Sequence, residues 1–307
     1  PRTAGAAVET GVVDVTTNLA YQNASAAGTG MVLTASGEVL TNNHVIRGAT
    51  TIRVIDPATG HRYAATVVGY SVSNDVAVLQ LKGASKLHTV ALGDSSAVRI
   101  GLRVTGVGNA NGVGGRPASA PGTVTGVGRS ITVSDGPGLT ERLGGLIRTN
   151  AALRPGDSGG PLVDAAGRVI AMITAGSTSS QYRSASQVFA IPINRARALA
   201  KQIAAHHASA TVHVGSTPFI GVSVSPAPGQ SAGALVAGVV SGSPADHGGV
   251  VAGDTITALD GQPIASYRDL GTLLIRHNAG TTVALQWIDQ TGATQTANVQ
   301  TADGPPQ

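Results

Sequence analysis

The 307-residue chain contains no cysteine. That excludes disulfides, zinc–thiolate sites and a cysteine nucleophile together, while leaving the redox compartment open. Aromatic residues make up 3% and charged residues 12% of the sequence. A core must therefore be assembled from Val, Ile, Leu and Ala. The net charge of +4 is scattered over single Arg and Lys positions, with no run of five or more. A nucleic-acid partner is not expected from such a distribution, despite a basic isoelectric point. No stretch reaches the roughly 18 apolar residues of a membrane-crossing helix. Pro1-Arg2-Thr3 has neither an initiator Met nor an export signal's apolar core, which reads as a processed or truncated form.

What the sequence does have is length for two domains and 42 glycines, a composition suited to short strands joined by tight turns. From Val12 to Ile193, short runs such as Val76-Ala77-Val78-Leu79 and Val169-Ile170-Ala171-Met172-Ile173 alternate with Gly, Asn, Asp, Ser and Pro. This is an all-β pattern with no strand–helix–strand spacing. The first helix is expected from an Asn194 cap, on a face including Ala198, Leu199, Gln202 and Ile203. Residues 206–218 read as a linker and 219–302 as a second unit, with a helix near Ser266–Arg276 opened by a Ser266/Asp269 capping box. Residues 303–307 read as a disordered tail. His206 and His207 beside the linker read as solvated, since no further ligands stand at metal-binding spacing; neither metal nor cofactor is expected.

The densest chemical signal is Arg154-Pro155-Gly156-Asp157-Ser158-Gly159-Gly160-Pro161. A serine hydroxyl needs a neighbouring base and amide donors aimed at the oxygen of a tetrahedral intermediate, and glycines flanking Ser158 permit the turn that converges the Gly156 and Ser158 N–H groups. A glycine-rich hairpin would give a similar string. So would the strand-to-helix elbow of α/β-hydrolases, but Leu162-Val163, a turn at Asp164-Ala165-Ala166-Gly167 and another strand follow instead. The base expected upstream is His44, in Thr41-Asn42-Asn43-His44-Val45-Ile46, and the orienting acid is Asp75, at the mouth of the apolar run Val76–Leu81. Alone, His44 reads as structural and Asp75 as a turn residue. Together with Ser158, in the order His, Asp, Ser, they form a catalytic constellation.

These segments, with Phe189-Ala190-Ile191-Pro192-Ile193, resemble the HtrA (DegP-like) serine proteases, particularly the secreted mycobacterial type with one PDZ domain. The likeness runs from about Val8 to Thr301. It implies a mostly β fold: a trypsin-like double six-stranded β-barrel over residues 1–205 and a C-terminal α+β PDZ domain. It implies a His44–Asp75–Ser158 triad, an oxyanion hole from the Gly156 and Ser158 amides, and a loop at Arg154-Pro155 that can rearrange. Asn is common in the family where this chain has Asp157, and an exposed side chain is expected there. Ala152 stands where trypsin-like pockets carry an acid. By position Leu153, Thr174, Ala175 and Gly176 line the specificity pocket, which should take small or medium apolar residues. Asn111–Pro117 is expected to be a mobile loop near the site. Ile220, Gly221 and Val222 resemble a carboxylate-binding loop for peptide C-termini, supported by Val239–Ala245 and Ala252–Ile264; a frayed helix is expected around Asp246-His247-Gly248-Gly249. Unfolded polypeptides and peptide C-termini are the implied partners, with an added chaperone role, a homotrimer and an extracytoplasmic setting, secreted or envelope-associated, also implied.

Overall fold

A computed structural model describes residues 9–134, 140–176, 188–225 and 232–307. The chain divides into two compact units, the first ending at Val214 and the second beginning at Gly215. Among the described residues no helix is long and apolar enough to cross a membrane.

In the first unit the β-branched runs become β1 (Val12–Leu19), β2 (Ala24–Val32), β3 (Glu38–Thr41), β4 (Thr51–Ile55), β5 (Arg62–Ser71) and β6 (Val76–Leu81), with a one-turn helix α1 (Asn43–Ile46) after β3. They pair in the order β5-β4-β1-β2-β3-β6, and β6 returns to β5 to close a barrel. Side chains alternate across each strand. Val13 and Val15 therefore join Val39, Val54 and Leu79 in the barrel interior, while Asp14 points to the other face.

A second closed barrel follows, from β7 (Arg103–Gly108), β8 (Ala118–Ser134), β9 (Thr140–Thr149), β10 (Pro161–Val163), β11 (Val169–Gly176) and β12 (Val188–Pro192), ordered β10-β11-β12-β9-β8-β7 with β7 returning to β10. Val12, Met31 and Leu40 of the first barrel pack with Val107, Met172 and Ile191 of the second in one apolar cluster. Helix α2 (Ile193–Ala204) buries Ile193, Ala196, Ala200 and Ile203. This departs from the expected cap and face. Pro192 precedes the helix, and Asn194 lies inside its first turn, where its Nδ2 donates to Asp94 at 2.6 Å. The helical stripe is set by the small Ala196 and Ala200, which allow close approach, rather than by Ala198 and Gln202.

Strand β13 (His213–Val214) adds to β5 opposite Tyr70 and Gly69, and the buried His213 ring lies 5.1 Å from that of Tyr70. The second unit contains β14 (Thr217–Phe219), β15 (Val222–Ser225), β16 (Ala234–Val239), α3 (Pro244–His247), β17 (Thr255–Leu259), β18 (Gln262–Pro263), α4 (Tyr267–Leu274), β19 (Thr282–Ile288), β20 (Thr294–Gln300) and β21 (Ala302–Gly304). Within the stretch read as a linker, His213–Val214 and the first two residues of β14 are strand, with Gly215 and Ser216 between them. His206 and His207 are exposed.

The main sheet of this unit runs β15-β16-β17-β19-β20, with β18 on β17. Val236, Ile256 and Leu285 pack beneath Leu270 and Leu274 of α4. That helix starts as the sequence indicates: Asp269 accepts the Ser266 N–H at 2.8 Å. Helix α3 is a single turn that buries Ala245 and ends before Gly248. The expected disordered tail is instead ordered by pairing. Gly304 and Asp303 of β21 lie opposite Thr217 and Pro218, Phe219 covers Gly304 so closely that a methyl there would sit 2.2 Å from its Cβ, and Pro306 is buried.

Candidate active site

The loop from Arg154 to Gly160 joins β9 to β10, and hydrogen bonds fix its peptide planes one by one. The Pro155 carbonyl accepts from the Asn111 N–H at 2.6 Å. Across a trans peptide the two polar groups oppose each other, so the Gly156 N–H faces the other way. In the same manner the Asp157 carbonyl accepts from the Gly160 N–H at 2.9 Å, turning the Ser158 N–H outward. Neither amide has a partner among the described residues. Gly156 sits at φ +97°, where a methyl group would lie 2.1 Å from the Asn109 carbonyl oxygen, so both conformation and clearance require glycine.

His44 lies on the single turn of α1, and Asp75 follows it in space through the turn before β6, at a left-handed φ of 52°. The Asn42 side chain donates to the Asp75 carbonyl at 2.8 Å, and the His44 N–H donates to Asp75 Oδ1 at 2.9 Å. His44 Nδ1 lies 3.0 and 2.9 Å from the two carboxylate oxygens. An ionised carboxylate only accepts, so Nδ1 carries the proton and Nε2 is left with its lone pair. Asp75 is 4% exposed, which keeps water from competing for this bond. Thr174 completes the arrangement. Its hydroxyl donates to Asp75 Oδ2, and its carbonyl accepts from Ser158 Oγ at 3.3 Å.

In the second unit, Gly221 adopts φ +84°, and a methyl there would lie 2.2 Å from Ser243 Cβ. The Ile220 and Gly221 carbonyls are held inward by the Ala245 and Val240 N–H groups, each at 2.8 Å. With Val240 bonded to Gly221, the Val222–Val239 pair is of the non-hydrogen-bonded antiparallel type, so the Val222 N–H and C=O point to the free side of β15. Among the described residues β15 is flanked by β16 alone.

Residues 28–172 match the trypsin-like peptidase domain family and residues 218–301 the PDZ domain family. The serine protease PepD of Mycobacterium tuberculosis is 32% identical over 94% of this chain, and the periplasmic pH-dependent serine endoprotease DegQ of Escherichia coli is 35% identical over 84% of it. The chain spans 63% and 55% of the lengths of those two relatives. The solved structure of the HtrA-type protease AlgW with a tripeptide superposes with a TM-score of 0.58 at 30% identity, covering 99% of this chain and 97% of that one. This chain belongs to the HtrA-type serine proteases.

Within that family frame, Asp157 departs from the exposure expected of it. Its side chain is 3% exposed: Oδ2 accepts the Arg154 N–H at 2.7 Å, and Oδ1 is buried with no partner among the described residues. Burial pushes its carboxyl above the usual range, against the pull of the Arg154 N–H and guanidinium. The loop turns back so tightly at Gly156 that the residue before Ser158 points inward.

A second buried carboxylate of this HtrA-type chain escaped the sequence reading. Asp14, 1% exposed, is pushed up to about 6 by desolvation. The Gly115 amide offsets part of that cost, yet neither carboxylate oxygen completes a hydrogen bond among the described residues. Asp14 thus lies under the Asn111–Pro117 loop. That loop is fastened by Gly114 N–H to Asn109 Oδ1 at 2.8 Å and by a two-point pair of Arg116 with Glu9 at 2.8 and 3.1 Å.

Of the residues assigned to the specificity pocket, Leu153 is half-buried and packs over Gly106, where a methyl would sit 2.4 Å from Leu153 Cδ2. Thr174 is taken up by Asp75 and Ser158. Ala175 and Gly176 close β11, with Gly176 opposite Val188; their side-chain surroundings lie outside the described residues.

Proposed function

We propose that this chain is a serine endopeptidase acting on unfolded or damaged polypeptides. Ser158 Oγ attacks the scissile carbonyl carbon while His44 Nε2 takes the hydroxyl proton; the carbonyl π pair moves to oxygen, which the Gly156 and Ser158 N–H groups receive. Collapse of the tetrahedral species breaks the C–N bond, and His44 returns the proton to the departing amine. Water then repeats the sequence to release the acyl group. Asp75 holds the imidazole tautomer and favours its charged form. The observation that carries this reading is the His44 Nδ1–Asp75 pair at 2.9 Å, because it leaves Nε2 able to act as a base.

Leu153, Ala175 and Gly176, with the backbone of Thr174, would form the primary pocket, while the Thr174 hydroxyl is held by Asp75. No acid stands at Ala152, and an unpaired Lys or Arg is costly to bury, so cleavage is expected after Val, Ala, Leu or Ile. The Ile220-Gly221-Val222 segment would capture a peptide C-terminus, with the peptide extending β15. The periplasmic location printed for relatives such as DegQ supports an extracytoplasmic setting.

The test is cleavage of casein by the purified chain, with and without a serine-directed inhibitor, beside Ser158→Ala. Activity should vanish with inhibitor and in the variant, and product ends should be small and apolar. Undiminished cleavage by Ser158→Ala would sink the assignment; a dominant preference for Lys or Arg would sink the pocket.

A further inference from the structure

Thr29 lies in β2, fully buried, and all its polar groups are engaged. Its N–H donates to the Ser158 carbonyl at 2.8 Å, and its own carbonyl accepts from Thr41 Oγ1 at 2.7 Å. Its hydroxyl accepts from the Asn109 N–H at 2.9 Å and donates to the Gly156 carbonyl at 2.7 Å. A side chain at this point must accept and donate at once, which a hydroxyl does and a methyl does not.

The position of that hydroxyl matters for the amides on either side of it. The Gly156 carbonyl has this one hydrogen bond among the described residues, and the Asp157 N–H of the same peptide reaches Arg154 at 3.1 Å. Gly156 has no Cβ to resist rotation, so a released carbonyl could swing and carry the neighbouring peptide planes with it. The other end of the relay is Asn109, whose loop holds the Pro155 carbonyl through Asn111 at 2.6 Å. One buried hydroxyl therefore braces the nucleophile loop from both sides.

We propose that Thr29 is a positioning residue for the oxyanion hole: its hydroxyl, acting through the Gly156 carbonyl and Asn109, keeps the Gly156 and Ser158 amides directed at the oxygen that becomes charged. This rests on the Ser158 mechanism above. Thr29 does not touch the reacting atoms. Because those amides bind the transition state more tightly than the ground state, the loss on removing the hydroxyl falls on kcat rather than KM.

The experiment is steady-state kinetics on the full chain with a peptide substrate, comparing the parent with Thr29→Val, Thr29→Ser and Ser158→Ala, each checked for folding by circular dichroism. Thr29→Val keeps shape but orphans a buried carbonyl and an amide. Its kcat should fall roughly tenfold to a hundredfold with KM within about twofold, while Thr29→Ser stays within about threefold of the parent. Inhibition by a peptide aldehyde, whose hemiacetal oxygen needs the same amides, should weaken in step with kcat. If Thr29→Val does not fold, Thr29→Cys, a poor donor of similar size to serine, should give a kcat clearly below that of Thr29→Ser. An unchanged kcat, a loss confined to KM, or equal behaviour of the donor and non-donor variants would overturn the proposal. Activity surviving in Ser158→Ala would instead overturn the mechanism it rests on.

Discussion

Thr174 ties Asp75 to Ser158: its hydroxyl donates to Asp75 Oδ2 and its carbonyl accepts from Ser158 Oγ. Thr174 is 2% exposed, so water does not readily replace its hydroxyl on Asp75. Thr174, assigned by position to the specificity pocket, thus also contacts the acid and the serine through its side chain and carbonyl. Thr174→Val removes the hydroxyl and preserves shape. We expect kcat to drop roughly tenfold, with cleavage-site preference unchanged, as one buried acceptor loses a donor while His44 still holds the carboxylate. Turnover and product-end profiling on the same samples check this; an altered preference at full turnover would return Thr174 to the pocket.

Asp14 gives a pH prediction. Its folded-state carboxyl titrates at about 6 against an ordinary 3.8. Below about pH 4 both folded and unfolded chains hold the proton and nothing is lost. As pH rises from there to about 6 the unfolded state releases its proton first, so stability falls and stays reduced above that window, by up to about 3 kcal/mol. Asp14→Asn should therefore stabilise the unit that contains it at pH about 8 and lose that advantage near pH about 3.5. Urea unfolding at the two pH values measures it. A pH-independent difference between variant and parent would show that desolvation of the charge is not the cause.

Gly221→Ala should directly distort the Ile220-Gly221-Val222 segment proposed to capture a peptide C-terminus. An L-residue at this left-handed φ costs about 1–2 kcal/mol, and its methyl would meet Ser243 Cβ at 2.2 Å. In the full chain carrying Ser158→Ala to prevent cleavage, a peptide ending in Val as free acid should bind at roughly micromolar affinity, and the Gly221→Ala change should weaken it at least about tenfold. Calorimetric titration with the acid and its C-terminal amide gives the comparison. Equal affinity of the two forms for the parent would mean that the loop does not read a carboxylate.

The barrels were legible because their strands are short β-branched runs cut by turn residues, and the His44–Asp75 contact because each residue stands in a distinctive segment at the edge of an apolar run. The departures share a physical cause. Thr29 and Asp14 are ordinary strand residues locally; what distinguishes them is contact with a loop 80 or more positions away, as in the Asn109 N–H to Thr29 bond. The exposure expected of Asp157 comes from the family resemblance, whereas its burial follows from the path of Gly156 under Asn109. The tail followed the same pattern: Asp303-Gly304-Pro305-Pro306 has little strand character by itself, and pairing with Thr217–Phe219 supplies it. Asn194 lies two positions inside the helix it was expected to cap, and its side-chain partner, Asp94, lies 100 residues upstream.

Close packing at two glycines has a genetic corollary. At Gly156 the obstacle to any side chain is the Asn109 backbone oxygen, and no substitution elsewhere can remove a carbonyl from the main chain. A lesion at Gly156 is therefore beyond second-site suppression. At Gly106 the obstacle is the end of the Leu153 side chain, which a smaller residue would withdraw, so the same kind of lesion there is open to a compensating change. Two glycines of equal appearance in the sequence thus confer opposite evolutionary freedom: one position is fixed alone, and the other can drift as a pair with its neighbour.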